Sequence, residues 1–206
     1  MDALLDSWYR AWQGLAAQGD GASLRDALRQ AYAEPQRHYH TQQHLRECLA
    51  LFAQLESLAQ RPAELAMALW FHDAIYDPQA HDNELRSADW AAQSLQQNGV
   101  AAEAVQHIQQ LVLITQHSAL PLEADACLLV DIDLSILAAA PARFAEYETQ
   151  IRAEYAFVPD ALFRQKRQAV LQGFANRAQI YSTDYGQQHF EAAAKANLQR
   201  AIASLN

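Results

Sequence analysis

The chain has 206 residues, of which 51% are hydrophobic and 19% charged, a balance that excludes a disordered chain and allows a sizeable core. A net charge of −9 and a pI near 5.3 argue against partners such as nucleic-acid backbones or anionic membranes. Six Gly and six Pro are few for a sandwich or barrel, and no apolar run reaches the ~18 residues of a membrane span.

Helical periodicity dominates in chain order. Leu4, Leu5, Trp8, Trp12 and Leu15 recur three and four apart and predict a helix over 3–18, broken by Gly19-Asp20-Gly21. Ser23 with Asp26 resembles a capping box opening a second helix over 23–32, and Pro35 follows it. Thr41 reads as the N-cap of a helix over 41–58, and Pro62 sits near the first position of the next, 62–75. A loop over 76–81 leads to helix 83–97, capped by Asp82 and ended by Asn98-Gly99. Helix 101–116 follows. The apolar stretch 122–139 contains Leu128-Leu129-Val130, which alone would suit a strand, but its length and Ala content favour a buried helix. Pro141 opens helix 142–156, Pro159 opens 160–181, and Thr183 opens a last helix to about residue 205. The expectation is an all-α, single-domain helical bundle of about nine or ten helices over 1–206. Its core lies at about 37–140, and the C-terminal helices 141–206 pack on it.

The informative residues are ionisable groups on apolar stripes. His72 continues the stripe Leu65, Ala68, Leu69, Ile75, with Asp73 beside it, and Asp133 lies on the stripe Leu129, Ile136, Leu137. His44 stands one turn before Cys48 at the border of an apolar face. A buried carboxylate is costly unless it is paired or bound to a metal. Imidazoles and carboxylates arriving from separate helices suit a shared divalent ion with open coordination positions. Taken singly, each of these residues is also a common structural core residue. The two cysteines, Cys48 and Cys127, have no metal-knuckle spacing, and the N-terminal residues show no basic and apolar leader pattern. A reduced, cytoplasmic setting is expected.

The set His44, His72-Asp73 and Asp133 resembles the signature of the HD superfamily of metal-dependent phosphohydrolases, with spacings in that family's usual range. More narrowly, it resembles a group of small bacterial predicted HD phosphohydrolases. The segments that carry this are Tyr39-His40-Thr41-Gln42-Gln43-His44, Phe71-His72-Asp73-Ala74-Ile75-Tyr76-Asp77, Asn83-Glu84-Leu85-Arg86-Ser87-Ala88, Thr115-Gln116-His117 and the run 131–137. The resemblance implies an all-α, HD-domain-like fold around one or two divalent ions (Mn, Fe, Mg, Co, Ni or Zn). It also implies hydrolysis of phosphomonoesters or phosphodiesters, often of nucleotides. Under it His44, His72, Asp73 and Asp133 are the expected ligands. Asp131 rivals Asp133, but two helical residues apart the pair diverge by about 160°, so only one faces the ion.

Other polar residues have two readings each. His40, four residues before His44, suits phosphate or a second ion, or is simply polar before a helix. His117 is placed by the resemblance among the substrate contacts or near a second ion. Glu84 and Asp77 are candidates for general acid–base work, against a first-turn helix acid and a loop turn. Arg37 is the best-placed cation for phosphate. Arg164, Lys166, Arg167 and Arg177 are explained as a solvated helix face or as phosphate contacts. The expected partner is a small phosphorylated substrate, a homodimer being compatible with the sequence. A metal- or nucleotide-binding regulatory module without turnover is the alternative.

Overall fold

The structure, a computed structural model, describes residues 3–117 and 121–205. Residues 1, 2, 118–120 and 206 lie outside that description, and with them the ends of the expected 1–206 domain. The fold is all-α: among the described residues there are eleven α-helices and no strand. The chain divides into two compact units, Met1–Ile132 and Asp133–Asn206.

The first unit contains α1 (Ala3–Gly14), α2 (Ala22–Ala31), α3 (Gln42–Leu55), α4 (Pro62–Phe71), α5 (Asn83–Gln97), α6 (Ala102–Leu113) and α7 (Ala124–Asp133), whose last residue begins the second unit. Helix α4 is its axis. Leu65 through Phe71 are all buried, so this helix is apolar on every side and packs against α1, α3, α5 and α6. Trp8 stacks on Trp12 at 5.2 Å and meets Trp70 edge-on at 5.1 Å. Gly14 permits the approach of α1 to α4, because a Cβ there would lie 2.6 Å from that of Ala63. Helix α5 ends as expected at Asn98-Gly99. Gly99 has φ 73, and a side chain there would meet Gln18.

Several expected boundaries shift for local reasons. Thr41 caps α3 as expected, accepting a hydrogen bond from the Gln43 backbone N–H at 3.2 Å. Asp82 does not cap α5. It faces Arg86, while the Asn83 side chain ties back to the Asp77 backbone through both its amide atoms. Ser23 makes no capping box, because α2 starts one residue earlier and the Asp20 side chain accepts from the Ala22 N–H. Helix α4 stops at Phe71 instead of continuing to 75, since the backbone beyond it is held by other groups: the Tyr32 hydroxyl accepts from the Asp73 N–H, and Arg37 donates to the Asp73 and Ala74 carbonyls. The segment 122–139 splits into α7 and a 3-10 stretch, Leu134–Ala138.

The second unit holds that 3-10 stretch with α8 (Pro141–Glu154), α9 (Asp160–Ala175), α10 (Asp184–His189) and α11 (Glu191–Ser204). Helix α9 ends six residues before the expected 181. The Glu191 carboxylate accepts from the Ile180 and Tyr181 N–H groups, which holds that segment out of the helix. Asn197 of α11 donates to the Leu137 and Ala139 carbonyls and anchors the 3-10 stretch. Among the described residues no helix is long and apolar enough to cross a membrane.

Candidate metal centre

The interior end of α4 and the first turns of α3 bring three expected ligands together. His44 Nε2 lies 3.0 Å from His72 Nε2 and 3.4 Å from Asp73 Oδ2, and His72 Nε2 lies 3.1 Å from the same oxygen. Donor atoms held about 2.1 Å from one ion stand about 3.0 Å apart at right angles and about 3.4 Å apart at tetrahedral angles. The three separations therefore match the edges of a coordination shell. Both imidazoles are buried, His44 at 2% and His72 at 1% exposure, so solvent does not dilute the interaction.

The outer nitrogens of both rings are engaged. His72 Nδ1 is 2.7 Å from the Leu69 carbonyl, which can only accept, so Nδ1 carries a proton and Nε2, facing His44 and Asp73, is the position that holds either a shared proton or an ion. His44 Nδ1 is 3.1 Å from the Tyr39 hydroxyl, which can donate or accept. A proton between the two Nε2 atoms can thus be exchanged for a cation without orphaning Nδ1. Burial opposes the charge on Asp73. The His72 and His40 imidazoles, with hydrogen bonds from His44 and His72, nevertheless hold its carboxyl well below the usual carboxylate range. Burial also pushes the neighbouring Tyr32 hydroxyl up to about 12.

His44, Cys48, His72 and Asp133 each offer a ligand atom within 4.8 Å of the others, and this group could hold a metal ion. Asp133 closes α7 and is half-buried, whereas its rival Asp131 is buried at 2% and stands outside the group. Cys48 is the residue that sequence reasoning did not count as a ligand. The signal was its i,i+4 spacing from His44, which puts both on one helix face. Its Sγ is 3.6 Å from His44 Nδ1 and 3.8 Å from Nε2. Nearly equal distances place the sulfur beside the ring, off the Nε2 lone-pair axis. Tyr39 lies in the first of the quoted segments, but its bond to His44 leaves no periodicity in the sequence.

The remaining expected site residues are placed as follows. His40 stacks on Tyr76 with ring centroids 4.0 Å apart, and its charge acts on Asp73. Arg37 is not presented to a substrate. Its side chain has 0% exposure, and all three nitrogens donate to protein oxygens. Asp77 is exposed and closes a turn by accepting from the Gln79 N–H. Glu84 is half-buried in the first turn of α5. His117 ends the 3-10 turn Ile114–Gln116 with φ 52, a left-handed conformation. None of these five belongs to the donor group. In the second unit Arg167 pairs with Glu148, Arg164 donates to the Ser204 carbonyl and Arg177 lies over the Phe174 ring.

A second cluster, His107 with Glu123 and Asp125, also has ligand atoms within 4.8 Å of one another. His107 Nδ1 lies 2.6 Å from Glu64 and Nε2 3.5 Å from Glu123, while Asp125 accepts from the Gln60 and Arg61 N–H groups.

No protein-family model, curated protein or solved structure matches the chain. Fold and site together define an all-helical protein with a largely buried His/Cys/His/Asp cluster that could hold a metal ion.

Proposed function

We propose that the protein is a divalent-metal-dependent phosphohydrolase with an HD-like fold, acting on a small phosphorylated metabolite such as a nucleotide. The observation that carries this reading is the trio His44 Nε2, His72 Nε2 and Asp73 Oδ2, held 3.0–3.4 Å apart at the buried end of α4. Asp133 supplies a further carboxylate within reach of both imidazoles. The donor chemistry, two imidazoles with carboxylates, suits a divalent transition ion. Bound there, such an ion would supply Lewis acidity toward a phosphoryl oxygen and make an attacking water more acidic. The Leu69 carbonyl and Tyr39 hydroxyl hold the two rings in the ligating orientation. His40 would donate a hydrogen bond to a phosphoryl oxygen. Glu84 and Asp77 are the nearest in sequence for proton transfer to the leaving oxygen, with His117 as a further contact for the substrate.

The test is direct. Metals are quantified in protein purified without chelator. Phosphomonoesters, phosphodiesters and nucleotides are then screened with Mn²⁺, Mg²⁺, Co²⁺, Ni²⁺, Zn²⁺ and Fe²⁺. Metal-dependent release of phosphate or nucleotide is expected, and Asp73→Ala should abolish it. Wild-type turnover by Asp73→Ala would refute the reading. The placement of Asp77 in an exposed turn, outside the donor group, favours a second reading: a regulatory module that binds metal and nucleotide without hydrolysis. Tight nucleotide binding that leaves the nucleotide intact after long incubation would decide for it.

A further inference from the structure

We infer that Arg37 is a positioning residue of the metal centre. Its buried guanidinium clamps the backbone entering α3 to the backbone leaving α4, and so sets the separation of His44 from the His72–Asp73 pair. This rests on the metal-centre reading above and assigns Arg37 a different task from contacting a phosphate.

The contacts define the clamp. Nη1 donates to the His40 carbonyl at 3.2 Å and to the Asp73 carbonyl at 2.6 Å, and Nη2 donates to the Ala74 carbonyl at 2.9 Å. Nε donates to Glu34 at 3.0 Å, which supplies the counter-charge. The plane is flanked by the rings of Tyr32 and Tyr76, at 5.3 and 5.7 Å from Cζ. One carbonyl lies four residues before His44. The other two belong to Asp73 and its neighbour, just past the end of α4 at Phe71. Carbonyls at a helix C-terminus have no intrahelical donor and carry partial negative charge, so they call for a cation.

The chemistry requires arginine. Five N–H donors in a rigid plane can reach carbonyls on two separate segments at once, while a lysine offers three donors from one nitrogen. The two ligand segments are far apart in sequence, and no helix periodicity relates them. A side chain bonded to both is therefore a direct determinant of the 3.0–3.4 Å donor spacing.

The experiment titrates Co²⁺ into full-length, chelator-stripped protein, following the visible ligand-field bands and the affinity, with helix content measured by circular dichroism. Arg37→Lys should keep its helix content, bind Co²⁺ at least about tenfold more weakly and show shifted bands, as for other groups that orient metal ligands. Arg167→Lys is the control. It alters a buried arginine in the second unit, and should lower the melting temperature but leave Co²⁺ affinity and bands as in wild type. Wild-type affinity and bands in Arg37→Lys overturn the inference while leaving the metal centre standing. If wild-type protein binds no Co²⁺, both the metal centre and this inference fall. Should Arg37→Lys lose its helix content, Glu34→Gln decides: it removes the counter-charge and should weaken Co²⁺ about two- to fivefold, the worth of a half-exposed ion pair. Unchanged affinity in that variant then overturns the inference.

Discussion

The first unit contains two histidine–carboxylate clusters that differ in what their atoms face. Around His107 each ring nitrogen addresses its own carboxylate, Glu64 at 2.6 Å and Glu123 at 3.5 Å. The Asp125 carboxylate there is already taken by two backbone N–H groups. Around His44 and His72 the inner nitrogens of both rings converge on each other and on Asp73, while the outer nitrogens are held by neutral oxygens. The first arrangement gives each ring nitrogen its own carboxylate and ties α4, α6 and the start of α7 together. The second concentrates lone pairs in a buried place and is completed by a proton or a cation. Of these two clusters, the second turns ring nitrogens of two histidines toward one point, and that is what marks it as the candidate metal centre.

The largest expected effect breaks the converging cluster. Asp73→Asn should weaken divalent-metal binding at least about a hundredfold, measured by calorimetry on chelator-stripped protein, whereas Glu64→Gln in the other cluster should leave the affinity unchanged. Equal losses in both would erase the distinction. Next, Tyr39→Phe removes the hydroxyl bonded to His44 Nδ1 and should cost about tenfold in metal affinity, with little change in the melting temperature of the metal-free protein.

The opposite pattern is expected at the balanced cluster. His107→Gln should lower unfolding stability by about 1–2 kcal/mol through the lost charge-assisted bond to Glu64. That is read from the urea midpoint at constant slope, with metal affinity intact. The smallest effect concerns the low-polarity surroundings of the converging cluster. The Tyr32 hydroxyl ionises near 10 in the unfolded chain and at about 12 when buried beside Asp73. Its contribution is therefore complete below about pH 10 and is lost as pH rises toward 12. Tyr32→Phe should flatten this alkaline loss, on the order of 1 kcal/mol at about pH 11. Identical alkaline limbs in wild type and variant would show that Tyr32 is not desolvated as described.

Much of this was legible in the chain. Helical periodicity and the turn residues gave nearly every helix, with α5 placed residue for residue, because amphipathic spacing and caps are local properties. The buried placement of His72 followed from its stripe of apolar neighbours, whereas His44, read at the border of an apolar face, is also buried. The end of α4 at Phe71 was not legible. It depends on Arg37 and Tyr32 capturing the following backbone across long sequence separations. For the same reason Arg37 read as a free cation: its carbonyl partners belong to other segments.

The sequence by itself determined an all-helical chain with imidazoles and carboxylates on faces that must be buried, since hydrophobic spacing and the cost of burying charge are written residue by residue. Only the tertiary structure decided which of those groups meet, how their rings are turned and which arginine bonds the backbone beside them. Those outcomes are set by hydrogen bonds between segments that no local pattern connects.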